Sequence, residues 1–104
     1  RSDVETHTST TTASETIATF KVADFTAAKL IIKAIDTNGD VQVSEVLLAH
    51  DGTTSQITEY AIVHTSTNPI AAYTSSITGG TDVIIAATAV TTDTEYTVVE
   101  TLIV

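Results

Sequence analysis

The chain has 104 residues, 42% of them hydrophobic, and a formal net charge of -9 from 13 acidic and four basic residues. This length fits one domain that buries about two-thirds of its unfolded surface. Four cations are too few for the basic patch that nucleic acid or an anionic membrane requires, and no run approaches the roughly 20 apolar residues of a membrane span. We therefore expect neither nucleic acid nor a membrane as a partner.

Strands are predicted along the whole chain, because Thr and other β-branched residues are abundant and no apolar stripe of helical period occurs. Residues 1–12 are polar and Thr-rich, which predicts a leader or an edge strand, and residues 13–104 are predicted to form a single β-sandwich domain. Residues 14–22 alternate as a half-buried strand does. Residues 29–36 follow as a strand with aliphatic side chains on both faces and two lysines on one of them.

The Asn38-Gly39 dipeptide predicts the first hairpin. Both residues suit the positive φ angles of a type I′ turn. The strands on either side, residues 29–36 and 41–49, are therefore predicted to be antiparallel neighbours.

The second hairpin, at Asp51-Gly52, has two possible registers. A two-residue loop would pair Val43 with Tyr60, and a four-residue loop would pair Leu48 with Ile57. The residues alone do not decide between them.

Residues 41–65, which form this hairpin, are apolar on both faces. A strand with one wet face alternates apolar and polar side chains, whereas aliphatic residues here occupy odd and even positions alike, as Leu47 and Leu48 do. A hairpin of this kind needs cover on both sides. In a chain this short, part of that cover is expected from another copy of the chain, which predicts a homo-oligomer.

The last third of the chain adds three strands. Asn68-Pro69 breaks the chain, residues 70–77 form a weak strand, and Gly79-Gly80 turns into the strongly apolar strand of residues 82–90. Residues 95–104 form the final strand. About eight short strands at these spacings predict an all-β fold, an antiparallel β-sandwich or a jelly roll.

Two acidic patterns invite a functional interpretation. The D-x-N-x-D pattern of residues 36–40 has the spacing that begins a calcium loop, but Val41 follows where that loop needs Gly, so a turn is preferred to a metal site. Glu45 and Glu59 have the residue type of a paired-carboxylate hydrolase. Few aromatic residues are available to build a sugar cleft, so rim or outward-facing charges are the preferred interpretation.

The three histidines are the other candidates for chemistry. His50 and His64 lie at opposite ends of the predicted hairpin and cannot share a metal ion within one subunit, and His7 lies in the Thr-rich start. We interpret all three as surface or turn residues, with an ion on the axis of a trimer left open. The sequence contains no nucleophile elbow and no phosphate-binding loop. We therefore predict a non-enzymatic protein with no catalytic, cofactor-binding or metal-binding residues.

Several short motifs together resemble a known family, a domain of virion structural and tail-fibre proteins of tailed phages, many of which infect marine cyanobacteria. The likeness covers most of the chain from about Thr10 onward. The motifs that carry it are residues 28–30 (AKL), 42–48 (QVSEVLL), 50–54 (HDGTT), 58–60 (TEY), 77–80 (ITGG) and a closing TLI after Tyr96.

This resemblance implies a β-sandwich near the end of a fibre or other particle appendage, usually trimeric, which builds the virion or contacts the host surface. It brings no catalytic residues. We therefore expect a virion protein that assembles with copies of itself, a trimer being favoured, and with other virion proteins. The alternatives are a decoration protein of the phage capsid and a lectin-like or Ig-like module that holds host glycan through loops 51–55 and 65–69. Because the chain starts at Arg1 and not at Met, a fragment or a processed product is expected.

Overall fold

The computed structural model describes residues 2–103, with side chains from Val4 onward, and shows eight strands in two antiparallel sheets. The prediction of an all-β antiparallel sandwich with about eight strands is confirmed. The end of the predicted last strand, residue 104, lies outside the described residues. The strands are β1 Ser2–Thr8, β2 Glu15–Lys21, β3 Ala27–Ile35, β4 Val41–His50, β5 Ser55–His64, β6 Ala71–Thr78, β7 Asp82–Ala89 and β8 Glu95–Ile103.

The two sheets differ in width. One has five strands in the order β1-β8-β3-β4-β5, and the other has three in the order β2-β7-β6. The Thr-rich start forms β1, an edge strand of the larger sheet that pairs along its length with β8. Between β2 and β3, Val22–Asp24 form a 3-10 helix at the corner, and no helix within residues 2–103 is long and apolar enough to cross a membrane.

The core lies between the sheets and is built from alternate residues of each strand. Leu30, Ile32 and Val98 of the larger sheet are fully buried, as are Val83 and Ile85 of the smaller one. Burying a side chain of this size contributes about 1.5–3 kcal/mol. Period-two alternation therefore decides which face of each strand points inward.

The first hairpin differs from the predicted type I′ turn. Ile35 pairs with Val41, and Gly39 has a φ of +82° whereas Asn38 is not left-handed. The Asp36 carboxylate accepts hydrogen bonds from the N–H groups of Asn38 and Asp40, both at 3.0 Å, which holds a longer loop. The antiparallel pairing of the two strands is confirmed, but the two-residue loop is wrong, because the Asp36 side chain stabilises a competing turn.

The second hairpin has the four-residue loop. Leu48 pairs with Ile57, and the N–H of Asp51 donates to the carbonyl of Thr54 at 3.2 Å. Further along β5 the register shifts, and Ala61 there has a φ of +53°. A residue with a side chain rarely adopts this left-handed conformation, so Ala61 marks a β-bulge that costs free energy.

A buried amide joins the two sheets where the loop from β5 enters β6. Gln42 of β4 is 1% exposed. Its Oε1 accepts a hydrogen bond from the N–H of Ile70 at 2.7 Å, and its Nε2 donates to the carbonyl of Ala71 at 3.1 Å. One side chain thus satisfies two backbone groups, one just before β6 and one at the first residue of this edge strand.

Candidate assembly surface

The larger sheet has one face in the core and one that no part of the described chain covers. We call the second the outer face. Residues paired directly across neighbouring strands share a face of the sheet. The outer face therefore consists of the odd-numbered side chains of β3, β4 and β8, the side chains of β5 that pair with those of β4, and Val4, Thr6 and Thr8 of β1. One row across it runs Val4, Val99, Ile31, Glu45, Tyr60.

The outer face holds most of the exposed aliphatic side chains. Among the side chains that the structure describes, nine large hydrophobic ones are exposed, and all but Ile62 and Val90 lie on this face. Leu47 is 50% exposed and Ile103 is 55% exposed. The seven on the outer face are Val4, Ile31, Val43, Leu47, Val63, Val99 and Ile103.

The opposite surface of the sandwich has a different composition. The outward side chains of β2 and β6 include Thr16, Thr19, Thr74 and Ser76, and Ile84 between them is only half-exposed. Threonine keeps the strand propensity of valine while its hydroxyl faces water. The protein therefore has hydroxyls where one sheet meets solvent and aliphatic side chains where the other lies uncovered, a pattern that is typical of interaction surfaces.

The outer face is nearly balanced in charge. Its ionisable groups are Lys29, Lys33, Glu45 and Glu95, so it has no formal net charge although the chain has -9. Lys29 Nζ lies 3.1 Å from Glu45 Oε1, and this hydrogen bond raises the pKa of Lys29. The remaining 11 of the 13 acidic residues lie elsewhere in the chain.

A shallow depression of about 330 Å³ lies at one end of the outer face. The small side chains of Ala27 and Ala49 lie at it, with the larger Leu47 and Ile103 beside them. A recess next to protruding aliphatic side chains can receive side chains from an apposed sheet, as layers of a sandwich interdigitate.

The acidic residues considered from sequence do not form a catalytic pair. Glu45 lies on the outer face with Lys29, whereas Glu59 lies on the other side of the hairpin and accepts a hydrogen bond from Ser44 Oγ at 2.6 Å. Glu59 is half-buried on the edge strand β5, and Glu45 is half-buried as well. Carboxylates on opposite faces of one hairpin cannot act on the same bond.

The histidines lie apart. His50 and His64 are at opposite ends of the β4–β5 hairpin, and His7 contacts Glu15 at 3.0 Å. His50 is only 8% exposed, so of the two alternatives it is a turn residue and not a surface one: its ring packs edge-on against Phe25 with centroids 4.7 Å apart, and its Nδ1 accepts a hydrogen bond from the N–H of Gly52. Within the described residues, no three His, Asp or Glu side chains are grouped as metal ligands.

The interior also contains two tyrosines in contact. The rings of Tyr73 and Tyr96 meet edge to face with centroids 6.2 Å apart. Burial raises the pKa of Tyr96 to about 12 and also raises that of Tyr73, so both phenols are neutral at pH 7. The Tyr96 hydroxyl has no hydrogen-bond partner among residues 4–103.

Sequence reasoning missed the structural role of Gln42. A signal was present, because Gln42 is a polar residue on the same side of β4 as Val46 and Leu48. From the sequence of β4 alone, the side with Gln42 could equally be predicted to face solvent, because the odd-numbered side of β4 is the more aliphatic one. The neighbouring strand β3 indicates the orientation better, because both of its lysines lie on the odd-numbered side, which must therefore face solvent.

The fold is similar to part of a solved phage protein. In the crystal structure of the tailspike protein of Acinetobacter phage vB_ApiP_P1, the match has a TM-score of 0.60 and 18% sequence identity, and it covers 98% of this chain and 21% of the tailspike. This chain thus spans about a fifth of the tailspike's length, and at this identity the likeness concerns the fold alone. No family model matches the sequence, and no curated protein matches it.

Proposed function

We propose that this chain is a non-enzymatic structural domain of a phage tail appendage, a β-sandwich that assembles with copies of itself on the virion, as a trimer. The observation that carries the proposal is the fold likeness to a phage tailspike protein over 98% of the chain. The resemblance of residues 28–65 to tail-fibre and virion domains points in the same direction. The uncovered outer face supports assembly, because it carries seven of the exposed aliphatic side chains and clustered exposed apolar side chains are typical of protein–protein contacts.

The arrangement of polar side chains supports a structural role. Within the described residues, the His50 ring accepts a hydrogen bond from the Gly52 N–H and the His7 ring contacts Glu15, so neither ring is placed as a base against a Ser or Thr hydroxyl. Asp36 and Asp51 use their carboxylates to accept backbone N–H groups in turns. These groups stabilise the chain's own loops.

Light scattering after size-exclusion chromatography tests the proposal, together with a glycan array. We expect a mass near three times 10.9 kDa that holds over a wide concentration range, and no glycan binding. A monomer that binds glycan would instead identify a lectin-like module. Turnover of ester or glycoside substrates by the purified chain would refute the non-enzymatic role.

A further inference from the structure

We propose that the outer face of the larger sheet is the surface through which copies of this chain associate, so that in the proposed trimer the outer faces meet around the three-fold axis and each is covered by the other two copies of the chain. The inference rests on the self-assembly included in the proposed function and adds where the contact lies. Three features of the face argue for it: its area, its charge and its shape.

The area matches a stable protein–protein contact. Five strands spaced about 4.8 Å apart and nine residues rising about 3.4 Å each give a face of roughly 700 Å². A typical specific interface buries about 800 Å² on each partner. The molecule measures 38 × 25 × 19 Å, so this face is one of its two broad sides and no larger flat surface is available. The outer face is therefore large enough for a specific interface between copies of the chain.

Charge favours a copy of the same chain as the occupant. Two chains of net charge -9 repel each other wherever their acidic surfaces meet. On the outer face two lysines balance two glutamates, and Lys29 already pairs with Glu45 within one subunit. A strongly basic or acidic partner would find no complementary field there, whereas a second neutral face would meet no net repulsion.

The shape of the face suits packing by side chains rather than by strand edges. Ala27 and Ala49 leave room beside Leu47 and Ile103, so aliphatic side chains of an apposed sheet can fill the recess. Addition of a strand at the β5 edge is disfavoured, because the bulge at Ala61 interrupts its regular ladder. Copies are thus directed toward the face and away from the edge.

The test replaces aliphatic side chains of the outer face by the residue that the other sheet presents to solvent. The variant carries Ile31→Thr, Leu47→Thr and Val99→Thr, which preserve strand propensity and the core. Matched controls are Val90→Thr, which removes an aliphatic side chain that is 69% exposed outside the face, and Ile84→Thr on the smaller sheet. Circular dichroism and thermal unfolding verify that each variant is folded.

Light scattering and sedimentation then measure association. We expect the triple variant to dissociate, with a dissociation constant weakened on the order of 100-fold, and both controls to retain the wild-type mass. If the triple variant is folded and keeps the wild-type mass and affinity, the inference is overturned while self-assembly stands. If the wild-type chain is monomeric at every concentration, self-assembly itself fails, and this inference fails with it.

A second measurement uses the absence of cysteine in the chain. A single thiol introduced by Leu47→Cys should be protected from a maleimide reagent in the assembled protein and become reactive on dilution. A thiol introduced by Val90→Cys should react at the same rate under both conditions. Rapid labelling of the Leu47→Cys thiol in the intact oligomer would show that copies meet elsewhere.

Discussion

Replacing Gln42 by methionine should destabilise the sandwich, because the Gln42 amide is what satisfies the backbone at the start of β6. Its Oε1 accepts from the Ile70 N–H and its Nε2 donates to the Ala71 carbonyl. Both residues are buried, so water cannot replace the lost partners at low cost. Methionine has a similar length and volume, which limits any contribution from a cavity.

The expected magnitude follows from the two groups left unsatisfied. A buried donor or acceptor without a partner costs about 1–3 kcal/mol. Loss of both bonds to Gln42 is therefore expected to lower the free energy of unfolding by about 2–6 kcal/mol. That is a large part of the roughly 5–15 kcal/mol that stabilises a domain.

Urea unfolding at a fixed protein concentration measures this change. With an m-value of about 1.5 kcal/mol/M, the midpoint should fall by about 1–4 M. Thr74→Met on the outward side of β6 serves as the control and should shift the unfolding free energy by less than about 0.5 kcal/mol. Amide exchange at Ile70 should accelerate in Gln42→Met. An unchanged midpoint with a protected Ile70 amide would refute the assigned role of the bridge.

Three further predictions concern single residues. Ala61→Gly should raise the free energy of unfolding, measured in urea, by up to about 1 kcal/mol. Glycine relieves the strain of the left-handed backbone, about 1–2 kcal/mol, which exceeds its extra cost in chain entropy, about 0.5–1 kcal/mol. A lower free energy of unfolding would contradict the strain at Ala61. Tyr96→Phe should leave the free energy of unfolding unchanged or raise it by about 1 kcal/mol, because it deletes a buried hydroxyl that has no partner among the described residues. The variant should also lack the phenol whose pKa is raised to about 12, which an absorbance titration checks. A fall in the free energy of unfolding of more than about 1 kcal/mol would reveal a hydrogen-bond partner of the Tyr96 hydroxyl. The pKa of Glu15 is lowered, first by the hydrogen bond with His7 and then by hydrogen bonds from backbone N–H groups. The ionised Glu15 therefore stabilises the folded state above its ordinary pKa of 4.5, and this contribution disappears as the pH falls through the lowered pKa. Glu15→Gln should therefore flatten the loss of stability on acidification below pH 4.5, and an unchanged acid profile would argue against the contact.

The strands could be located from sequence because their signals are local. Alternating β-branched residues and turn dipeptides mark where each strand begins and ends, and all but the polar start could be assigned in this way. The loop at Asn38-Gly39 shows the limit of such signals. The dipeptide favours a type I′ turn, but Asp36 two residues earlier accepts two backbone N–H groups and stabilises a longer loop. The two consecutive positive φ angles that were predicted for Asn38-Gly39 occur instead at Gly79 and Gly80.

Sheet membership and bulges could not be predicted, because they depend on contacts distant in sequence. β1 pairs with β8 and β8 with β3, and no local pattern in residues 2–8 identifies that partner. The bulge in β2, where the register shifts between Thr16 and Ala18, lets Ile17 and Ala18 both be buried. This bulge depends on the other sheet, because the core between the two sheets must receive both side chains.

Charge explains why the more aliphatic side of β4 points away from the core. The odd-numbered side of the paired strands β3 and β4 carries Lys29, Lys33 and Glu45 together with Val43 and Leu47. Turning that side inward would bury three charges, and each costs several kcal/mol even when paired. Burying two further aliphatic side chains would return only about 1.5–3 kcal/mol each. The side with Gln42 and Ser44 therefore enters the core, where their hydrogen bonds are satisfied, and the aliphatic residues stay among charges that lie at the surface of one subunit. An arrangement that keeps these charges hydrated in the monomer also leaves the aliphatic side chains free to pack against another layer. One strand pair thus keeps its charges hydrated in the single chain and presents the surface on which the proposed assembly rests.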